Sequence, residues 1–231
     1  MPRPNRDAQQ PDLHQAIKDT AWRQIAEMGA AALSLRAIAR ELGITAPAIY
    51  NYFPRRDDLV TALIVDAFTS FGDSQLAACE AVPAADPVGR LRAIGLAYRQ
   101  WALEHPQRYQ LIFGTPIPGY AAPVEQVLPA GARSLSALVA VVEALRVAGR
   151  LRAAEFPQVT PGYKVEFEVW KRHGGEADIL SLSVAMLIWA RVHGLVSLEI
   201  GGNLPPFGPN GDALYQYELA AIKEQFIKEE P

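Results

Sequence analysis

Several side chains in one short stretch, LSLRAIARELGITAPAIYNYFPRRDDL, suit the surface of a nucleic-acid duplex. The guanidinium of Arg36 has the fork that matches the paired acceptors of guanine, and the amide of Asn51 matches adenine. Asn51 could equally meet the sugar–phosphate backbone. The Tyr50 hydroxyl can reach a phosphate while its ring meets a thymine methyl, and Thr45 can donate to a phosphate. Ala46, Pro47 and Ala48 are small, so they allow close approach and apolar contact but offer no hydrogen bonds. Tyr52 and Arg56 are candidate backbone contacts, with Tyr52 equally placed to be core. For each polar residue the competing reading is a solvated helix face.

Two short helices are needed to hold these groups. Ser34 can cap the first, in which Leu35, Ile38, Ala39 and Leu42 recur at helical spacing with Arg36, Arg40 and Glu41 facing away. Gly43 suits a left-handed stop, and Ile44 can tuck beneath the turn. Thr45 is the next cap and Pro47 fits a first helical turn. Ile49, Tyr52 and Phe53 supply the inward face of the second helix, and Pro54 ends it. Two helices joined by a tight Gly turn form the motif whose second helix enters the major groove. An ordinary helical hairpin uses similar residues, so the pattern alone leaves both readings open.

The run GITAPAIYNYFPRRDDLVTAL resembles the recognition-helix signature of the TetR family of bacterial regulators. The matching positions are Gly43, Ile44, Thr45, Ile49, Tyr50, Tyr52, Phe53, Arg56 and the Asp57-Asp58 pair. The preceding segment, with Gly29, Leu33 and Ser34, fits as well, so this likeness covers residues 12–65. Many relatives carry Lys where this chain has Ala46, which removes one expected phosphate contact. The resemblance implies an all-α fold with an N-terminal three-helix helix–turn–helix domain and a larger C-terminal helical domain for ligand binding and dimerisation. It also implies a repressor, released from a palindromic operator on double-stranded DNA by a small-molecule effector. The segment RVHGL after Trp189, and HPQRYQLIFG at 105–114, resemble a C-terminal class of that family marked by Trp, His and Gly.

Length and composition bound the reading. A chain of 231 residues, half of them hydrophobic, can build one large or two modest domains. The net charge of −3 argues against a globally basic nucleic-acid binder. Residues 1–60 carry eight Arg/Lys against seven Asp/Glu, and the remainder fourteen against eighteen. DNA binding would therefore rest on a local patch, with Arg3, Arg6, Arg36, Arg55 and Arg56 as candidates. The single cysteine, Cys79, suits a reducing cytoplasm. No signal peptide is expected from the polar start, and 179–198 is the one candidate membrane span. Arg191, His193 and three serines interrupt that span, so a buried helix of a soluble protein is expected and no membrane partner.

The chain is divided as a disordered arm (1–11), a DNA-binding domain (12–56) and a ligand-binding and dimerisation domain (57–231). Helices are expected over 12–28, from 57 or 58 to 79, and over 87–105, 107–113, 123–151, 178–200 and 212–228. Residues 163–173 fit either a strand or a helix, and helix is favoured because no strand partner exists. The helix at 178–200 is apolar on both sides, so a second copy of the chain is expected to cover one of them. Candidate dimer contacts are Leu180, Val184, Leu187, Leu195, Leu198, Leu219, Ile222 and Phe226. A ligand pocket could draw on Tyr98, Trp101, Tyr109, Phe113, Trp170, Met186, Trp189 and His193, although aromatic stripes are more often plain core.

The four histidines lack metal-ligand spacing, and no nucleophile elbow, P-loop or dinucleotide fingerprint is present. No enzyme, cofactor or metal site is expected. The remaining alternative is a helical protein-interaction or ligand-sensing module with little DNA binding.

Overall fold

The computed structural model describes residues 13–152, 157, 160–174, 176–205 and 211–229, and every element longer than a single turn among them is an α-helix. These are α1 (Leu13–Met28), α2 (Leu35–Glu41), α3 (Ala46–Tyr52), α4 (Arg56–Glu80), α5 (Pro87–Glu104), α6 (Pro106–Phe113), α7 (Val124–Val147), α8 (Pro161–Gly174), α9 (Ile179–Ile200) and α10 (Asp212–Phe226). The expected arm at 1–11, with Arg3 and Arg6, lies outside the described residues. The ambiguous aromatic segment is helical, as α8. The chain divides into two compact units: Met1–Asp66 with Gln107–Pro123, and Ala67–Pro106 with Val124–Pro231.

In the first unit, α1 buries Ile17, Thr20, Ala21, Gln24 and Ile25, one stripe at helical spacing. α2 adds Leu35, Ile38 and Ala39, and α3 adds Ile49, with Phe53, Leu59, Val60 and Leu63 behind them. Ile38 and Ile49 are wholly buried, and each contributes roughly 1.5–3 kcal/mol of apolar transfer. Gln24 accepts the backbone N–H of Ser34 through Oε1 at 3.4 Å, which fixes the start of α2 against α1. Segment 107–123 docks through Arg108, whose guanidinium lies 5.1 Å from the Trp22 ring centroid, and through a 2.9 Å hydrogen bond between Tyr120 and Thr61.

In the second unit α5, α7 and α9 pack on one another, α10 lies on α9 and α5, and α8 on α7. The core holds Leu91, Ile94 and Trp101 from α5, Leu138, Val142 and Leu145 from α7, and Leu182, Ala185, Ile188 and Val196 from α9. Arg99 ties three helices together. It donates to Glu199 at 2.8 Å and to Asp212 at 3.0 Å, with its charge over the Tyr215 ring. Tyr215 in turn donates to the Gly95 carbonyl.

α7 stops earlier than its apolar pattern suggests. Gly149 is left-handed (φ 68°), and Arg150 N–H reaches back to the Leu145 carbonyl, a six-residue closure that ends the helix. Leu151 then forms an isolated antiparallel bridge with Ile227 rather than another helical turn. α7 as well as α9 is long and apolar enough to cross a membrane by length and composition, so 179–198 is not alone in this. Each has a face packed inside the second unit.

Candidate nucleic-acid interface

The turn between α2 and α3 has the geometry a helix–turn–helix requires. Gly43 sits at φ 66°; its N–H donates to the Arg40 carbonyl and the Ile44 N–H to the Ala39 carbonyl. These two bonds close α2 and set the direction of α3. Ser34 caps α2 by accepting the Ala37 N–H. Thr45 has the extended backbone of a cap, but its hydroxyl makes no cap bond and stays exposed. Phe53 is extended before Pro54, as a pre-proline residue must be, and α3 ends there.

The face opposite Ile49 is uncovered. Ala46, Pro47, Tyr50, Asn51 and Tyr52 are exposed and Ala48 is half-buried. Tyr52 is 44% exposed, beyond the inward face that its spacing suggested; Ile49 and Phe53 carry that face, and Phe53 stacks on His14 at 5.0 Å. Arg36 is exposed on the first turn of α2, with no ion pair or hydrogen bond among the described residues.

Arg40, also exposed on α2, likewise makes no ion pair or side-chain hydrogen bond among the described residues, whereas several other cations of this unit are engaged or partly shielded. Lys18 bonds Asp66 at 2.7 Å and Arg23 bonds Glu41 at 2.8 Å. Arg55 donates to Asp58 at 2.9 Å, and Asp58 also accepts the Arg55 backbone N–H at the start of α4. The hydrogen bond that Arg55 donates to Asp58 pulls the Asp58 carboxyl below its ordinary range and raises the Arg55 guanidinium. Arg56 is half-buried, 3.8 Å from Asp57, and its Nε and Nη2 are shielded from solvent without a hydrogen-bond partner. The seven-residue helix α3 therefore presents small residues, two tyrosines and an asparagine, with Arg36 nearby in sequence as an uncommitted cation.

Residues 17–63 match the family of bacterial regulatory proteins, tetR family, and residues 91–222 match a tetracyclin repressor-like C-terminal domain. The chain belongs to the TetR family. It is a helix–turn–helix transcriptional regulator, in a family of regulators rather than enzymes. It is 34% identical over 197 residues to HTH-type transcriptional regulator Rv1816 of Mycobacterium tuberculosis and to Mb1846 of Mycobacterium bovis, covering 85% of this chain and 84% of each relative. The crystal structure of SCO4313 is 36% identical, with a TM-score of 0.73 over 91% of this chain and 94% of that one. A protein from Rhodococcus sp. RHA1 shares the fold at 24% identity, with a TM-score of 0.73 over 97% of this chain and all of that one.

The TetR-family second unit encloses a cavity of about 320 Å³. Of the aromatic and His residues singled out by sequence, Tyr98 and Trp189 line it. His193 stands behind them: its Nδ1 is 2.9 Å from the Tyr98 hydroxyl, its Nε2 is 3.3 Å from Ser197 Oγ, and its ring stacks on Trp189 at 4.8 Å. Burial pushes its imidazole below the usual range, so the ring favours its neutral form, with one donor and one acceptor nitrogen for two hydroxyl partners. Trp101 is core, donating to Ser70 and packing on Phe71. Tyr109 and Phe113 pack on each other in the first unit, Trp170 lies half-buried on α8, and Met186 half-buried on α9; none of these lines the cavity.

Lining residues that sequence reasoning did not single out include Val88, Leu91, Arg92 and Gly95 on α5, and Gln216 and Lys223 on α10. Their signal is faint: one helical stripe on α5, broken by a glycine. A Cβ on Gly95 would lie 2.7 Å from Leu219, so the missing side chain is what lets α10 approach.

The dimer candidates separate into two groups. Val184, Ile222 and Phe226 are covered within the chain, and Leu219 and Ile222 line the cavity. Leu180 and Leu195 are half-buried, while Leu187 and Leu198 are 48% and 43% exposed.

Proposed function

We propose that this regulator is a cytoplasmic repressor that grips a palindromic operator as a homodimer and leaves it when a small molecule fills the second unit's cavity. The observation that carries DNA reading is the uncovered face of α3, with Tyr50 and Asn51 exposed and Arg36 uncommitted. Arg36 and Asn51 read base edges in this account. Thr45, Tyr50, Tyr52 and Arg56 hold phosphates, and Ala46, Pro47 and Ala48 allow close approach.

Dimerisation is supported by the exposed stripe Leu187, Ala190 and Leu198 on α9, with the half-buried Gly194 between them. These positions repeat at helical spacing and present apolar surface to a neighbouring copy. Two copies place two recognition helices on half-sites about one helical turn apart. An effector lowers DNA affinity only by its differential affinity for the two conformers of the regulator. The cavity's apolar, aromatic lining is of the kind that takes such a molecule.

The test begins with selection of duplexes from a random-sequence library, followed by affinity measurement across a salt series. The expected result is a two-fold symmetric sequence and a steep fall of log affinity with log salt. Leu187→Glu with Leu198→Glu should give a folded monomer by sedimentation and a large loss of duplex affinity. Selection of no sequence, together with a shallow salt dependence, would favour the protein-interaction reading instead. The commitment of Arg55 to Asp58 and the uncharged Ala46 are the observations behind that alternative.

A further inference from the structure

The walls of the second unit's cavity divide by chemistry. Leu91, Ile94, Leu138, Ile188 and Val192 form an apolar interior. The exposed lining residues are Arg92 on α5 and Ala220 and Lys223 on α10, so the opening lies between these two helices. Two of those three are cations, and no carboxylate is among the lining residues described. The Arg92 guanidinium is held by a neutral group, donating to the Gln216 amide oxygen at 3.1 Å. Lys223 has only a loose pairing with Glu224, at 3.9 Å, and Glu224 does not line the cavity. The ion pairs elsewhere in this unit, such as Arg99 with Glu199 and Arg191 with Glu218, neutralise their charge within the protein.

We propose that the cavity takes an amphipathic anion: an apolar body in the interior, with a carboxylate at the opening between Arg92 and Lys223. The proposal rests on the reading of this cavity as the effector site. A neutral hydrocarbon would leave the two cations without a counter-charge, and an organic cation would meet two like charges on entry. Carboxylate is the head group a guanidinium fork matches best, and a mobile lysine can follow it as a point charge. Size suits a small body. At roughly 30 Å³ for each water-sized group in a liquid, a cavity of about 320 Å³ has room for at least about ten non-hydrogen atoms. A medium-chain or single-ring carboxylate is of that size. The deep polar groups are already occupied. Gln75 gives its amide nitrogen to the Phe71 and Ser134 carbonyls, and the Tyr98 hydroxyl is bonded to His193. They therefore ask little of the ligand's buried end.

The experiment titrates the full chain with octanoate, octanol and octyltrimethylammonium by calorimetry, with tryptophan fluorescence, to which the cavity-lining Trp189 contributes, as a second signal. Octanoate should bind about tenfold more tightly than octanol, or about 1.4 kcal/mol, and the cation most weakly. Raising salt should narrow the gap, because the two charges are exposed. Arg92→Gln with Lys223→Gln keeps the apolar interior and should bring octanoate down to the affinity of octanol, leaving octanol unchanged. Ala220→Trp, a substitution at an exposed position of the opening, should block all three probes. Octanol or the cation binding as well as octanoate would overturn the anionic class. If Ala220→Trp still blocked those probes, the effector-site reading would stand. Unchanged octanoate binding in Ala220→Trp would place the ligand elsewhere and overturn both. Failure of every probe would overturn the anionic class alone, provided another small molecule still released operator duplex in the native chain but not in Ala220→Trp.

Discussion

Replacing Arg36 with alanine isolates base reading from folding. Arg36 is exposed on the first turn of α2 and makes no ion pair among the described residues, unlike Arg23 and Arg55, which hold Glu41 and Asp58. Its removal breaks no contact within the fold, and alanine is at least as good a helix former. Folding stability should therefore stay within about 0.5 kcal/mol of the native chain. Loss of a guanine contact should cost roughly 1–3 kcal/mol per half-site, or about five- to over a hundredfold in affinity. A symmetric dimer carries the residue twice, so the full duplex loses about twice that free energy. The assay is fluorescence anisotropy with a library-selected duplex and a scrambled duplex of equal length, each over a salt series. The selected duplex should lose affinity while the scrambled one changes little, and the variant should no longer discriminate at one base position per half-site. Equal losses on both duplexes, with a salt slope shallower by about 0.9 per contact, would show that Arg36 holds phosphate and would refute base reading.

Gly43→Ala should lower stability by roughly 1–2 kcal/mol in urea melts, because the left-handed backbone at φ 66° carries the whole penalty. A built Cβ meets nothing within 4 Å, so Gly43→Asn, which tolerates that conformation, should cost clearly less; equal costs for the two would contradict a backbone origin. Glu143 is pulled down to about 2, first by the hydrogen bond from Arg146, from an ordinary 4.5. Its carboxylate also accepts the backbone N–H of Asp178 at 3.3 Å, where α9 begins. A depressed carboxyl stabilises the fold above its unfolded value and loses that contribution as pH falls through the folded one. The native chain should therefore exceed Glu143→Gln in stability by about 1 kcal/mol at neutral pH, after allowance for solvent screening. That gap should close between pH 4.5 and about 2. A gap that persists at the acid end would assign it to packing instead.

Much of the first unit is legible in sequence because its determinants are local. The Ser34 cap, the Gly43 turn and the Pro54 stop each act through the backbone within a few residues, so residue type and spacing suffice. Tyr52 is the exception: helical spacing allowed it inward or outward, and only the placement of His14 and Phe53 decides. Gly149 shows a different limit. Its apolar neighbours continue the helical pattern to Leu151, yet the chain turns there to pair with Ile227, a contact distant in sequence.

The second unit's sites depend on contacts of that distant kind, and α9 makes the reason plain. A helix apolar on all sides does not say which side its own chain will cover. α9 packs on α5, α7, α8 and α10, and Val184, Ile188 and Val192 are buried while Leu187 and Leu198 stay open. Burying a leucine on a second copy is worth roughly 1.5–3 kcal/mol at full coverage, whereas Val184, Ile222 and Phe226 are already buried and have almost no surface left to offer. Tests of self-association therefore belong at Leu187 and Leu198. Substitutions at the covered positions would unfold the second unit before they reported on a partner. The same logic separates the cavity from the aromatic core. Trp101 and Tyr109 are as bulky as Tyr98 and Trp189, but each has its surface filled by its own neighbours, whereas the cavity opens at the exposed side chains of Arg92, Ala220 and Lys223.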